Sequence, residues 1–291
     1  MSVKIKAVAK QLPPYSRLTA DILPYVELWL AGQDERFIRK ALKIFGNAGV
    51  DKRYSIMEPD EVFMATTFEK KNTIYIRECT KLAELSLQKA LVRANWEAQD
   101  IDYIITVSCT GIMIPSVDAY LINSLKMKQD IVRLPVTEMG CAAGISGMIY
   151  AKNFLQANPG KRAAVVAVES PTATFQLTDF SMANIVSAAI FGDGAATVLL
   201  SSCPEDEGPS IIAGEMYHFY NAEQMMGFKV TDTGLQMILD ETVPETIAEH
   251  FPKIVHPFLE RNHSSIEEIN HLIFHPGGEK LYKLWKNYSG L

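Results

Sequence analysis

At 291 residues the chain is long enough for one large hydrophobic core or two packed halves. With 48% hydrophobic and 21% charged residues it has the balance of a folded protein without long disordered tracts. A formal net charge of -6 argues against general nucleic-acid binding, so an anionic ligand would need a local basic patch.

Residues 3–9 alternate apolar residues with lysine and predict a first strand. Lys4, Lys6 and Lys10 interrupt the N-terminal stretch, so it lacks the continuous apolar run of a signal peptide. A polar helix is expected over 34–45, followed by the turn GNAGVDKRY. There Lys52 and Arg53 could contact a phosphate or stand as two solvated surface charges. Over 73–94, Ile76, Leu82, Leu85, Leu87, Ala90 and Leu91 recur at helical spacing. IDYIITVSCTG (101–111) reads as a buried strand running into a loop, and 120–127 as a second helix. A strand is expected over 131–139 and a helix over 142–157, stopped by Asn158-Pro159-Gly160. RAAVVAVE (162–169) is near-continuously apolar, as suits a strand covered on both faces. A turn at Gly192-Asp193-Gly194 leads into another buried strand, and SCPEDEGPS (202–210) is the best linker candidate. Beyond it the pattern predicts a strand at 211–217, a loop through 226–234, a helix over 244–261 and an apolar strand in INHLIFHPGG (269–278).

The stretch that organises the chain is RLPVTEMGCAAGISGMIYA (133–151): a short strand, a Gly-Cys turn, then a helix of small residues. Such a turn aims the N–H groups and positive dipole end of the helix at the Cys141 sulfur, which favours the thiolate. The stretch alone leaves two readings open, a reactive cysteine or a small buried one. The four cysteines, Cys79, Cys109, Cys141 and Cys203, form no CxxC pair and have no histidine at metal spacing. That argues against zinc and against a disulfide framework, and fits a reducing cytoplasm. No run of about 18 apolar residues is present, so no membrane span is expected.

An internal repeat joins the two ends of the chain. RANWEAQDIDYIITV (93–107) aligns without gaps on RNHSSIEEINHLIFH (261–275): helix end, acidic turn, Ile, a polar residue, then an apolar stretch. With alternating strands and helices, this suggests two similar α/β halves about a pseudo-twofold axis. Corresponding strand ends would face one cleft, so Cys141 would meet His275 from the other half. By the same logic the second half needs roughly 95 more residues after 275 than the sequence holds, and is expected to be incomplete.

GCAAG around Cys141, FGDGAA at 191–196 and HPGG at 275–278, in this order and spacing, resemble type III polyketide synthases, the chalcone synthase-like enzymes of the thiolase superfamily. The resemblance runs from about residue 54 onward. It implies a thiolase-like αβαβα fold of two pseudo-duplicated halves: 1–203 carrying the nucleophile, and a partial second half, 204–291, carrying the catalytic histidine. It implies a cytoplasmic homodimer, without metal or bound cofactor, that acts as an acyltransferase. Such an enzyme joins an acyl-CoA starter to malonyl-CoA by decarboxylative Claisen condensation through an acyl-cysteine. Carried over by motif, Cys141 is the nucleophile and His275 the catalytic imidazole. Phe191 separates the CoA tunnel from the cavity, and Thr174, Cys109 and Thr110 line that cavity. Met237 stands where plant members have a second gatekeeping Phe, and Ile114 where the family extends a side chain, often Met, into the partner. Without the resemblance, Phe191 would read as a core aromatic beside a glycine turn, Thr110 and Thr174 as packing residues, and Asp193 as a turn stabiliser.

The sequence departs from the family in lacking, after His275, the GN motif with its catalytic Asn and the GFGPG loop. A chain ending at Leu291 is therefore expected to be impaired. The basic positions used for CoA are poorly matched around 47–53, and Met237 with small residues after the nucleophile suggests room for a long or aliphatic starter. Two other functions fit less of the pattern: a β-ketoacyl carrier-protein synthase III, with one condensation and a carrier-bound malonyl group, and a truncated, non-catalytic partner that binds acyl-CoA.

Overall fold

The computed structural model describes residues 2–289. Strand β1 (Lys4–Gln11) opens the chain, and β2 (Tyr15–Leu18) leads directly into helix α1 (Thr19–Trp29). Helix α2 (Glu35–Gly46) starts at Asp34, whose side chain accepts from the N–H groups of Arg36 and Phe37. Strand β3 (Lys52–Ser55) pairs antiparallel with β2, and the short α3 (Pro59–Val62) follows. The long α4 (Phe68–Ala94) is capped by Thr67 and ends at Asn95 in the left-handed region. Then come β4 (Tyr103–Val107), α5 (Val117–Ser124), β5 (Val132–Val136), α6 (Ala143–Ala157), β6 (Arg162–Glu169), α7 (Met182–Ile190) and β7 (Gly194–Ser201).

Five of these strands form one sheet in the order β1-β7-β6-β4-β5. Strands β5, β4 and β6 run parallel, while β7 and β1 are antiparallel to their neighbours. The apolar run of β6 is explained by cover on both faces. Ala164, Val166 and Val168 join a core with Tyr75, Leu82, Ala83 and Leu87 of α4. Ala163 and Val165 join a second core with Ala143, Ala151 and Leu155 of α6. A third cluster gathers α1, α2 and α7 around Val26, Leu30, Phe45 and Ile185. Helix α6 lies close to the sheet because Gly147 has no side chain. A Cβ there would stand 2.9 Å from Val165 Cγ1 and 3.4 Å from Ile105 Cγ2.

Past β7 the architecture changes. Residues 202–210 are pinned by Asp206, which accepts from Ser201 and Arg162 and pairs with Lys6 at 3.2 Å. The strand expected over 211–217 is reduced to one bond from Ile211 N–H to Val3 O and a single bridge between Lys4 and Ser210. The expected loop at 226–234 is instead the first arm of a hairpin, β8 (Met226–Thr231) and β9 (Gly234–Leu239), turned at Asp232-Thr233. Helices α8 (Val243–Arg261) and α9 (Glu279–Ser289) complete the described chain.

The internal repeat is present in local structure. A 3-10 turn at Ala98–Asp100 follows α4, and its counterpart at Ile266–Glu268 follows α8 at the same offset, each with a reciprocal capping box. The repeat fails at the next step. Residues 103–107 form a fully buried strand between β5 and β6, whereas 269–278 forms no strand and Ile273 is 97% exposed. Turns and helices close their own hydrogen bonds, but a strand needs neighbours, and among the described residues 269–278 has none.

Gly147→Val adds branched volume where even one carbon is too close. Urea denaturation is expected to register a loss of about 2–3 kcal/mol.

Candidate active site

Because β4, β5 and β6 are parallel, their C-terminal ends open on one edge of the sheet, where α/β folds gather chemistry. The loop 108–111 leaves β4 there, Glu169 ends β6, and Cys141 follows β5. Glu169 organises this edge. Its carboxylate accepts the backbone N–H groups of Cys109 (2.9 Å) and Thr110 (3.1 Å) and the Thr110 hydroxyl (2.6 Å). The Thr110 hydroxyl in turn accepts the Ser170 N–H at 2.7 Å, closing the loop onto the strand that follows. Burial drives the Glu169 carboxyl above the ordinary glutamate value, and these donors pull against that without cancelling it.

Cys141 sits in a 3-10 turn, Gly140–Ala142, that enters α6 with Gly140 at φ +52°. No side chain caps α6, and the N–H of its first residue, Ala143, donates to Gly140 O. Cys141 is the one cysteine of the four classed as exposed. Enough protein still surrounds its sulfur to raise the thiol, first by burial and then by the Glu169 charge, with its own backbone N–H opposing. The expected thiolate preference at the helix start is therefore outweighed in the described surroundings, and a nearby cation would be needed to restore it. Cys109 is raised in the same way, by burial, by Glu169 and by the charge of Cys141 itself. The two sulfurs are thus electrostatic neighbours.

A second carboxylate supports the neighbouring FGDG turn. Asp193 is 4% exposed and accepts from Ile56 N–H (2.8 Å), Thr172 N–H (3.0 Å) and the Thr172 hydroxyl (2.8 Å). Burial lifts its carboxyl to about 6 against these donors. This agrees with the turn-stabilising reading and adds a long-range tie to β3.

Beside that turn lies a cavity of about 110 Å³, and Phe191, Thr174 and Met237 all line it. Three positions singled out in the sequence from separate segments therefore meet. The Thr174 hydroxyl is held by Pro171 O at 2.9 Å. Cys109 and Thr110 do not line this cavity; they are held on Glu169 next to Cys141. Ile114 is 91% exposed on the loop between β4 and α5. His275 is exposed, and among the described residues no hydrogen bond connects it with Cys141. Its backbone carbonyl accepts from Trp285 Nε1 at 3.2 Å. The HPGG segment nevertheless reaches the Phe191 turn, since a Cβ on Gly278 would lie 3.1 Å from Ile190.

Three contributors escaped the sequence reading. Glu169 was legible only as the charge that closes an apolar strand. Arg53, one of two presumed surface charges, is buried and lines the cavity, while Lys52 is exposed. Helix α7, whose end presents Phe191, is capped by the Ser181 hydroxyl. For metal binding, Cys203, Glu205 and Asp206 bring ligand atoms within 4.8 Å, but Asp206 is already engaged by Ser201, Arg162 and Lys6.

Residues 34–204 match the N-terminal domain of the chalcone and stilbene synthases, more than half of the chain. The chain belongs to this family. Phloroglucinol synthase of Pseudomonas fluorescens is 30% identical over 246 residues, which span 83% of this chain and 69% of that enzyme. The 1,3,6,8-tetrahydroxynaphthalene synthase of Streptomyces peucetius is 30% identical over 283 residues, 95% of this chain and 74% of that enzyme. The crystal structure of 1,3,6,8-tetrahydroxynaphthalene synthase from Streptomyces coelicolor, a bacterial type III polyketide synthase, superposes with a TM-score of 0.92 at 26% identity, covering 99% of this chain and 82% of that one. The fold is thus the thiolase-like α/β fold of type III polyketide synthases, and the chain is a type III polyketide synthase and an acyltransferase. The carrier-protein synthase III and non-catalytic readings are not favoured by these relatives. No described helix is long and apolar enough to cross a membrane.

Iodoacetamide should modify Cys141 ahead of buried Cys79 and Cys203. Its rate should be a small part of the high-pH limit at pH 7 and keep climbing into the alkaline range, because a raised thiol is less ionised than an ordinary one. Mass spectrometry of tryptic peptides across pH 6–10 checks both. For Asp193, a folded value of about 6 against 3.8 means that stability is lost as pH rises through that window. The urea stability of wild type relative to Asp193→Ala should be greater at pH 4.5 than at pH 7, by about 2 kcal/mol.

Proposed function

We propose that this enzyme builds its polyketide on Cys141 from acyl-CoA and malonyl-CoA. The observation that carries the reading is the position of Cys141: an exposed residue at the shared end of three parallel strands, just before a helix start that no side chain caps. In the first step the Cys141 thiolate attacks the thioester carbonyl. The tetrahedral oxyanion is held by the backbone N–H of Cys141, and CoA leaves as a thiol once protonated. In the second step malonyl-CoA loses CO2, and the electron pair of the broken C–C bond becomes an enolate. Its carbon attacks the acyl-cysteine carbonyl, the Cys141 thiolate departs, and a β-ketoacyl-CoA two carbons longer can load again. Each donor aimed at the developing enolate oxygen is worth about 3–4 kcal/mol of barrier.

His275 is the proposed enolate donor and the proposed hydrogen-bond partner of the Cys141 sulfur. Support comes from the HPGG segment, which packs by Gly278 against the residue before Phe191. Phe191, Thr174 and Met237 form the acyl wall, while Cys109 and Thr110 shape the mouth near the nucleophile through Glu169. The chemistry needs CoA thioesters as substrates and no further cofactor or metal. We assign residues 1–203 to a nucleophile-bearing half and 204–291 to part of a second half. The division is supported by the family match ending at 204 and by β8 and β9 pairing only with each other. A cytoplasmic homodimer is proposed. Four free thiols support the compartment, and the exposed Ile114 supports a partner that covers it.

Incubation with acyl-CoA should add one acyl mass to the intact protein, located on Cys141 and absent in Cys141→Ala. An adduct that persists in that variant would remove the nucleophile assignment. His275→Ala should keep slow acylation and lose malonyl-CoA decarboxylation by about a hundredfold or more. Sedimentation should give a dimer at micromolar concentration, shifted toward monomer by Ile114→Asp.

A further inference from the structure

One cation on the cavity wall has no task in the chemistry above. Arg53, on β3, is 8% exposed and lines the cavity with Phe45, Phe63, Phe175, Phe191 and Met237. Its Nη1 donates to Ala188 O at 3.2 Å, in the last turn of α7, and its guanidinium carbon stands 5.4 Å from the Phe45 ring centroid. Nε and Nη2 are buried and have no hydrogen-bond partner among the described residues. The other cation on the wall, Arg17, is satisfied by Glu58 at 2.7 Å. The hydroxyls of Thr172, Thr174 and Ser187 are likewise spent, on Asp193, Pro171 O and Ala183 O.

The two idle nitrogens are the informative detail. The Nε–H and Nη2–H bonds of a guanidinium lie side by side on one edge and match the two oxygens of a carboxylate. Burial lowers Arg53 only to about 10, so it stays charged at neutral pH. Two charged donors left without acceptors in an apolar wall are costly, and one carboxylate would satisfy both. The aromatic and Met side chains around them suit methylenes instead.

We propose that this cavity receives an acyl group ending in a carboxylate, which Arg53 grips through Nε and Nη2. The preferred thioesters are then ω-carboxyacyl thioesters, in place of the plain aliphatic starter suggested by Met237. The inference rests on the reading of the cavity as the acyl site.

The test is calorimetric titration of the Cys141→Ala protein, in which transfer is blocked, with glutaryl-CoA, valeryl-CoA and free CoA. Glutaryl-CoA is expected to bind about tenfold or more tighter than valeryl-CoA, as fits hydrogen bonds to a charged group. Adding Arg53→Gln should erase that preference and leave valeryl-CoA nearly unaffected, while Arg53→Lys should keep part of it. Equal binding of the two thioesters, both tighter than free CoA, overturns the inference and leaves the acyl site standing; this comparison needs no change at Arg53. A preference that survives Arg53→Gln also overturns it. If neither thioester binds better than free CoA, the acyl-site reading falls and the inference falls with it.

Discussion

The active edge of this protein depends on one buried carboxylate. Glu169 ends a strand that is covered on both faces and turns its charge toward the loop leaving β4. Two backbone N–H groups and a hydroxyl converge on it, so the loop carrying Cys109 and Thr110 has no freedom to drift. The same charge opposes ionisation of the Cys141 thiol. Rigidity and nucleophilicity therefore pull in opposite directions here. The helix start behind Cys141 works against that charge without cancelling it, so a cation beside the sulfur would be needed to tip the balance back.

Asp193 plays the parallel part on the acyl side. By binding Ile56 and Thr172 it joins β3, the loop after β6 and the FGDG turn, all of which contribute to the cavity wall. Both carboxyls are raised by burial, and both are tolerated because backbone donors meet them. Arg53 is the contrast: a buried ion with one bond made and an edge left open. In a wall where every other cation and several hydroxyls are paired internally, such an edge marks the position of the ligand's own polar atom.

The first half of the fold was largely legible. The apolar run of 162–169 and the helix after Cys141 lie within a residue of their predicted bounds, because a strand covered on both faces and a helix of small residues leave strong patterns, while the half-exposed edge strand before Cys141 ends three residues early. The repeat was legible as well, down to matching 3-10 turns. The hairpin at 226–239 was missed because two strands of mixed exposure carry little periodic signal. The strands expected at 211–217 and 269–278 did not form, since an apolar pattern alone does not supply the neighbouring strand that a ladder needs. Motif drew attention to Cys141, Phe191, Thr174 and Met237, the last three of which share a cavity wall, but not to Glu169 or to the burial of Arg53, as an isolated charge gives no hint of what it faces.

Sequence alone determined the family and the main strands and helices up to residue 201, because these reside in local motifs and in the period of apolar residues. Only the tertiary structure decided that Glu169 holds the loop beside Cys141, that Arg53 is buried with one edge unsatisfied, and that Phe191, Thr174 and Met237 share a wall. The reason is physical. Burial, desolvation and hydrogen-bond satisfaction belong to pairs of residues tens of positions apart, and they come into being only when the chain closes on itself.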